Sequence, residues 1–358
     1  MRRLLPLISS IVLPGLLFLS SCQSRPGHGE YYEITGYAQG GVYSVKLRTD
    51  GCDLSPEALK TGIDSVLTLI DTTLSGYNPA SQLSRFNAGE NIRPNELFLA
   101  MYERAHAFWL QSGGVLDFAA GPLFDAWGFG FREDGQLPDS AAVSALLDGC
   151  GMGRLRADIR TTLREDGTLA PADLLKEPGT LPRLNYNAIA QGLSCDLVAD
   201  YLRSHGSADF LVNIGEIYCQ GRNPSGEGWS VGVDAPIDGN FSPGEDIRGV
   251  WDSRGEACGI VTSGNYRKFT VGPDGEKYVH TIDPRTGYPI RSSLLSATVT
   301  APDAATADAL ATWCMVIGTE ASRALIASLG EGYSCYLIYD EDGEMRTSPS
   351  PEFHLIRP

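Results

Sequence analysis

A short alanine-rich stretch carries the sharpest chemical signal in the chain. Between Asp303 and Ile317, Asp308 and Thr312 stand four residues apart. A helix would set that carboxylate and hydroxyl on one face, one turn from each other. Hard oxygen ligands of this kind suit Mg²⁺, which keeps several waters and completes its shell with substrate phosphates. The surrounding alanines leave that face open to close approach by backbone or ligand. The same spacing also fits an ordinary helix, with Asp308 in solvent or bonded to a core Thr312.

A second cluster runs from Tyr278 to Pro289 and contains His280 and the turn-forming series Asp283-Pro284-Arg285-Thr286-Gly287. Proline's fixed φ and glycine's freedom make a rigid turn there. An imidazole near neutrality on its flank can move a proton or bind a phosphate; a purely structural histidine fits the pattern equally well. Three weaker segments accompany it. Gly259 to Tyr266 is a strand running into a turn whose amides and hydroxyls can cradle an anion. Asn185 to Gly192 precedes a helix whose N-terminus favours phosphate. Leu74 to Asn87, Ser112 to Leu123 and Trp127 to Phe129 mix aromatic and polar residues, as a site for a flat heterocycle does and as packing corners also do.

The elements that must position these residues follow from periodicity. Tyr31 to Leu47 predicts a hairpin turning at Gly40-Gly41. Helical spacing predicts helices over Ser55–Leu74, opened by a Ser55-Pro56 cap, and over Glu96–Ser112, Ser140–Leu147, Ile189–His205 and Thr306–Ile317. Strands are expected at Ala208–Ile214, Trp229–Val233, Gly259–Thr262, Lys268–Val271, Leu294–Thr300 and Cys335–Tyr339. This order has no regular β-α-β alternation, so the fold class is a compact α+β architecture rather than a barrel or doubly wound sheet. No G-x-G-x-x-G follows a strand and no P-loop motif occurs, which leaves Rossmann and P-loop nucleotide binding unsupported. After residue 30 no Pro/Ser/Gly linker divides the chain, so any two lobes must be intimately packed.

The chain has 358 residues, 42% of them apolar and 20% charged, with a formal net charge of −16. That balance describes a folded globular protein and argues against a nucleic-acid partner, which calls for clustered Lys and Arg. At the N-terminus, Met1-Arg2-Arg3 and the apolar run Leu4–Leu19 form a signal-peptide pattern too short for a membrane span. Leu19-Ser20-Ser21-Cys22 is similar to a bacterial lipobox. Residues 1–21 are therefore expected to be removed, Cys22 to be lipidated, residues 22–30 to act as a tether, and residues 31–358 to form the domain. The protein would be exported and held at a cell-envelope membrane, on its periplasmic side, by acyl chains. Lipidation of Cys22 leaves an odd number of the eight cysteines; Cys195, Cys219 and Cys314 sit in apolar surroundings and read as small core residues.

Taken together and in this order, the motifs resemble the ApbE family of FAD:protein FMN transferases over about Gly36 to Gly318. His280 to Pro289 matches its H-x-I-D-P-x-T-G-x-P, Ala307 to Thr312 its A-D-A-L-A-T, Val261 to Tyr266 its T-S-G-D/N-Y, and Ser75 to Tyr77 a further short motif. The resemblance implies an ApbE-like (T-fold-like) architecture of two lobes with the flavin site between them. It implies an Mg²⁺-dependent enzyme that moves FMN from FAD to a Thr or Ser hydroxyl of an exported flavoprotein, typically a subunit of a membrane redox complex, releasing AMP. Asp308, Thr312 and the Ala188 carbonyl match the family's metal ligands, and His280 its catalytic histidine. Tyr77, Asp117, Asn185 and Gln191 match FAD contacts, and Gln39 a flavin-side position.

The chain also departs from the family pattern. Asn185 stands where a carboxylate is usual and Gln191 where a lysine is usual, so one charge of each sign is lost while hydrogen bonding is kept. A glycine pair is reduced to one at Gly215-Glu216. The acceptor pattern of an acidic residue before S/T-G-A-T is missing, so the chain is not expected to be its own substrate. Two alternatives share these residues: an Mg²⁺-dependent FAD pyrophosphatase that releases free FMN and AMP, and a flavin-binding lipoprotein without catalysis.

Overall fold

The computed structural model describes residues 30–131, 137–237, 244, 246–265, 269–271 and 277–357. The expected signal peptide, Cys22 and most of the tether lie outside the described residues, as do Tyr266 and Lys268.

The first hairpin is β1 (Tyr31–Ala38) and β2 (Gly41–Arg48), paired antiparallel from Tyr31↔Arg48 to Ala38↔Gly41. The turn is Gln39-Gly40 rather than Gly40-Gly41, because Gly41 is already the ladder partner of Ala38. Both turn residues have positive φ, 51° at Gln39 and 80° at Gly40. This is the two-residue geometry whose twist matches that of the flanking strands.

A helical half follows: α1 (Pro56–Leu74), α2 (Gln82–Asn87), α3 (Glu96–Gln111), α4 (Gly121–Ala126), α5 (Ser140–Gly149) and α6 (Pro171–Leu174). Ser55 caps α1 by accepting from the Ala58 amide, with Pro56 in the first turn, as the sequence predicts. The helix buries Leu59, Ile63, Leu67, Ile70 and Leu74 along one side. Next come α7 (Ala190–Ser204), β3 (Phe210–Asn213), β4 (Ile217–Gln220), β5 (Ser230–Asp234), β6 (Ile247–Asp252) and β7 (Cys258–Gly264). The chain continues through β8 (Phe269–Val271), β9 (Lys277–Val279), β10 (Ile282–Asp283), β11 (Tyr288–Pro289) and β12 (Leu294–Ala301). It ends with α8 (Ala304–Ile317), α9 (Thr319–Leu329), β13 (Ser334–Glu341), β14 (Glu344–Pro349) and β15 (Leu355–Arg357).

The central sheet has eight strands in the order β1-β2-β3-β4-β7-β12-β13-β14, every neighbouring pair antiparallel. The architecture is the expected α+β. Helices α7 and α8 cover one face. The small sheet β15-β6-β5 covers part of the other through Trp229, Trp251 and Phe353, packed on Cys219, Ile260 and Tyr336. Between these layers β12 is buried along nearly its whole length. Two of its hydroxyls pair across the sheet, Thr298 with Thr262 at 2.8 Å and Thr300 with Ser334 at 2.6 Å, which satisfies buried polar groups, while the buried Ser296 hydroxyl has no protein partner among the described residues.

One core joins the helical half to the sheet. Tyr43, Val45 and Phe210 of the sheet, Leu59 and Ile63 of α1, Phe98 and Tyr102 of α3 and Tyr186 belong to the same buried cluster. The seven described cysteines are thiols; Cys195, Cys219 and Cys314 are buried as expected, and so is Cys335. Among the described residues no helix is long and apolar enough to cross a membrane.

Candidate active site

Asp308 and Thr312 lie on α8 as predicted, but Asp308 is buried rather than solvated. The start of α8 is fixed from three elements. Its own cap Asp303 accepts from the Thr306 amide at 2.8 Å and pairs with Arg104 of α3. Asp196 on α7 accepts from the Ala304 and Ala305 amides at 2.7 and 2.9 Å, placing a second carboxylate at the positive end of the helix. Burial pushes the Asp196 carboxyl up to about 6, the two amides opposing the rise.

Helix α7 meets α8 at Gly192, where an added Cβ would lie 2.3 Å from the Ala304 carbonyl oxygen. That approach lets the Gly192 amide donate to the Asp308 carboxylate at 3.1 Å. In an unbroken helix this amide would bond the Ala188 carbonyl four residues back. Here the helix opens irregularly at Ile189, with φ −147°, and the Ala188 carbonyl stays out of the helical ladder. Burial pushes the Asp308 carboxyl up to about 7, opposed by the Gly192 amide and reinforced by Asp196. Thr312, half-buried, follows one turn along α8.

Among the described residues no cluster of three or more His, Cys, Asp or Glu is placed to hold a metal. The set available around α7 and α8 is one carboxylate, one hydroxyl and one carbonyl. These are all hard oxygens, and the carboxylate is too deeply buried to carry its charge easily alone. Such a set suits a cation that keeps waters and takes its remaining oxygens from a phosphate.

Two glutamines flank this point. The Gln191 amide donates to the Ile214 carbonyl at 3.3 Å and lies against Gly215, whose φ of 95° forms the bend between β3 and β4; a Cβ there would sit 2.6 Å from Gln191 Nε2. From the hairpin tip, Gln39 donates to the Ser194 hydroxyl, and Ser194 in turn to the Ala190 carbonyl at 2.7 Å. A non-glycine residue in the left-handed region carries strain, and this contact to α7 holds it there.

The remaining expected residues lie on the other side of the Asn185–Ala188 turn. Asn185 is buried; its backbone N–H donates to the Phe118 carbonyl at 2.8 Å and its side-chain oxygen accepts from the Asn187 backbone N–H at 3.0 Å. Tyr77 is 67% exposed, stands edge-on to Phe131 at 4.9 Å and accepts a 3.4 Å bond from the Asn187 side chain. The Asp117 carboxylate accepts from the Ala119 amide at 2.9 Å and the Met152 amide at 2.9 and 3.0 Å. Burial raises its pKa against the pull of those amides.

His280 follows β9, half-buried, with its ring edge-on to Phe129 at 6.4 Å. Several contacts that do not involve the imidazole anchor its turn. Gly287 donates to the Asp283 carbonyl at 2.8 Å, Arg285 grips the Asp283 carboxylate, and Thr281 donates to Asn265 at 2.7 Å. The Trp127 indole donates to the Gly287 carbonyl at 2.8 Å and stacks on Tyr278 at 5.4 Å. Phe129 to Phe131 thus runs between His280 and Tyr77. Asn187, Gly192, Ser194 and Asp196 take part in this assembly but did not stand out as site residues in the sequence; their partners lie far along the chain.

The model of the ApbE family matches residues 31–337. The FAD:protein FMN transferase of Vibrio cholerae is 32% identical over 321 residues, covering 88% of this chain and 89% of that protein. Its Haemophilus influenzae counterpart is 29% identical over 98% of each chain. The solved flavin transferase ApbE from Vibrio cholerae superposes with a TM-score of 0.72 at 30% identity, over 90% of this chain and 98% of that one. The apo flavinyl transferase ApbE of Pseudomonas stutzeri gives 0.76 at 27%, over 92% and 97%. Fold and relatives therefore define an enzyme, a transferase. The chain belongs to the ApbE family.

Proposed function

We propose that this chain moves FMN from FAD to a Thr or Ser hydroxyl of an exported acceptor protein, such as a subunit of a membrane redox complex, and releases AMP. The observation that supports the reading best is the Gly192–Asp308 bond, which ties Asp308 of α8, with Thr312 one helical turn further on, to the N-terminus of α7 just after Ala188. The transferase names of the relatives and the ApbE membership support it.

Asp308, Thr312 and the Ala188 carbonyl would hold Mg²⁺. When bound, the ion neutralises the pyrophosphate and polarises phosphorus. The protein's own groups do the rest. Tyr77, Asn185 and Asp117 line one flank of the FAD site, and Gln191 and Gln39 hydrogen-bond on the other, where neutral amides avoid adding to the repulsion of an anionic substrate. The acceptor oxygen attacks the FMN phosphorus, the bond to the AMP oxygen breaks, and an imidazole nitrogen of His280 takes the hydroxyl proton.

The test incubates the protein with FAD, Mg²⁺ and a Thr-containing acceptor peptide, then measures the peptide's mass. One added FMN with loss of water, together with AMP in solution, is expected. An unmodified peptide with free FMN and AMP would replace transfer by pyrophosphatase action, and intact FAD would leave only binding.

We further propose that residues 1–21 are cleaved and Cys22 is lipidated, anchoring the domain of residues 31–358 to the periplasmic side of an envelope membrane. Cys22→Ser should then move the protein from the membrane fraction to the soluble one; unchanged membrane association would refute the anchor.

A further inference from the structure

Cys219 on β4 and Cys258 at the start of β7 are direct partners in the antiparallel ladder. Such partners project to the same face, with Cα atoms about 4.5 or 5.5 Å apart depending on whether the pair is hydrogen-bonded. Both separations fall within the roughly 4.4–6.8 Å that disulfides span. The neighbouring Cys258 thiol and burial both raise the Cys219 pKa. Cys219 is sealed in the cluster of Trp229, Trp251 and Ile260, whereas Cys258 is only half-buried. One thiol is therefore within reach of a reagent and the other waits behind it. Cys314 and Cys335 also share a cluster, but both are buried and neither can be attacked first.

We propose that Cys219 and Cys258 are a dithiol that closes to a cross-strand disulfide by exchange with a small disulfide oxidant of the oxidised-glutathione class. The Cys258 sulfur, having lost its proton, attacks the oxidant's S–S bond and releases one thiolate. The Cys219 sulfur, losing its proton in turn, attacks Cys258 in the mixed disulfide and expels the second. Two protein thiols are oxidised, one oxidant disulfide is reduced to two thiols, and the two protons end on the released thiolates. The product ties β4 to β7 and closes the loop carrying β5 and β6. The tied strands continue into the site. β4 leaves the Gly215 bend that Gln191 lies against, and β7 runs to Asn265, which accepts from Thr281 beside His280.

The experiment reduces the full chain, incubates it with oxidised glutathione, quenches with acid, alkylates under denaturing conditions and maps the peptides. A Cys219–Cys258 cross-linked peptide is expected. With it, the melting temperature should rise by about 5 °C in the wild type and stay unchanged by oxidant in Cys258→Ser and in Cys219→Ala. Recovery of both cysteines alkylated, or of glutathione held on Cys258 with Cys219 free, would overturn the proposal. So would a cross-link from either residue to Cys52 or Cys150.

Discussion

The Gly192 amide and the Asp308 carboxylate, 116 positions apart in the chain, meet at 3.1 Å and lock the start of α7 to the middle of α8. The bond serves two ends. It satisfies part of a carboxylate that burial would otherwise force neutral, and it withdraws an amide from the Ala188 carbonyl. A single contact thus ties the Asp308 carboxylate to the start of α7 and leaves the Ala188 carbonyl outside the helical ladder.

Asp308→Asn keeps an oxygen for the Gly192 amide and removes the buried charge. FMN transfer, followed as AMP release at saturating FAD and Mg²⁺, should fall by at least about 10²-fold, while the melting temperature without metal holds or rises because no charge need be desolvated. A variant that turns over normally would end the metal assignment.

His280→Ala should lower kcat by about 10²–10⁴-fold, the usual worth of a positioned proton acceptor. The fold should be unaffected, since the turn is held by Trp127, Asn265 and Asp283. Wild-type kcat with an intact circular dichroism spectrum would exclude His280 from proton transfer.

Gly192→Ala places a methyl group against backbone that cannot yield easily, 2.3 Å from the Ala304 oxygen. We expect a loss of about 3 kcal/mol in urea unfolding and weaker Mg²⁺-dependent activity as α7 and α8 part. Unaltered stability would show that the two helices can separate freely.

Asp196 provides a pH signature. Its folded pKa, about 6, exceeds the ordinary 3.8, so the folded form binds the proton more tightly than the unfolded one. The resulting stability is complete below about pH 4 and is lost as pH rises through about 6. The stability of wild type relative to Asp196→Asn should therefore shrink by about 2–3 kcal/mol between pH 4 and pH 7. Thermal unfolding of both proteins across that range measures it, and parallel curves would refute the shift.

Local signals made much of this structure legible. The Ser55-Pro56 cap and the apolar spacing after it announce α1, and the four-residue step from Asp308 to Thr312 announces their shared face. Asp-Pro-Arg-Thr-Gly announces the turn beside His280. What could not be read depends on partners remote in sequence. Asp196 looks like any helical aspartate until Ala304 and Ala305 arrive 108 and 109 positions later. Tyr77 finds Asn187 only through the fold. β4, four residues long after a bend, is too short for a period to show. A glycine pair points to a turn one residue later than the real one, because Gln39 accepts the left-handed conformation with Ser194 holding its side chain.

The indole of Trp127 reaches the Gly287 carbonyl across 160 positions, which has a consequence for biosynthesis. A ribosome delivers the aromatic anchor, the Asn185 turn and α7 well before it delivers His280 or α8. Long-range closures of this kind are slow steps in folding. A nascent chain stopped before residue 287 holds only half of this clamp and none of α8, so the candidate reaction centre is incomplete until residue 312 has been made.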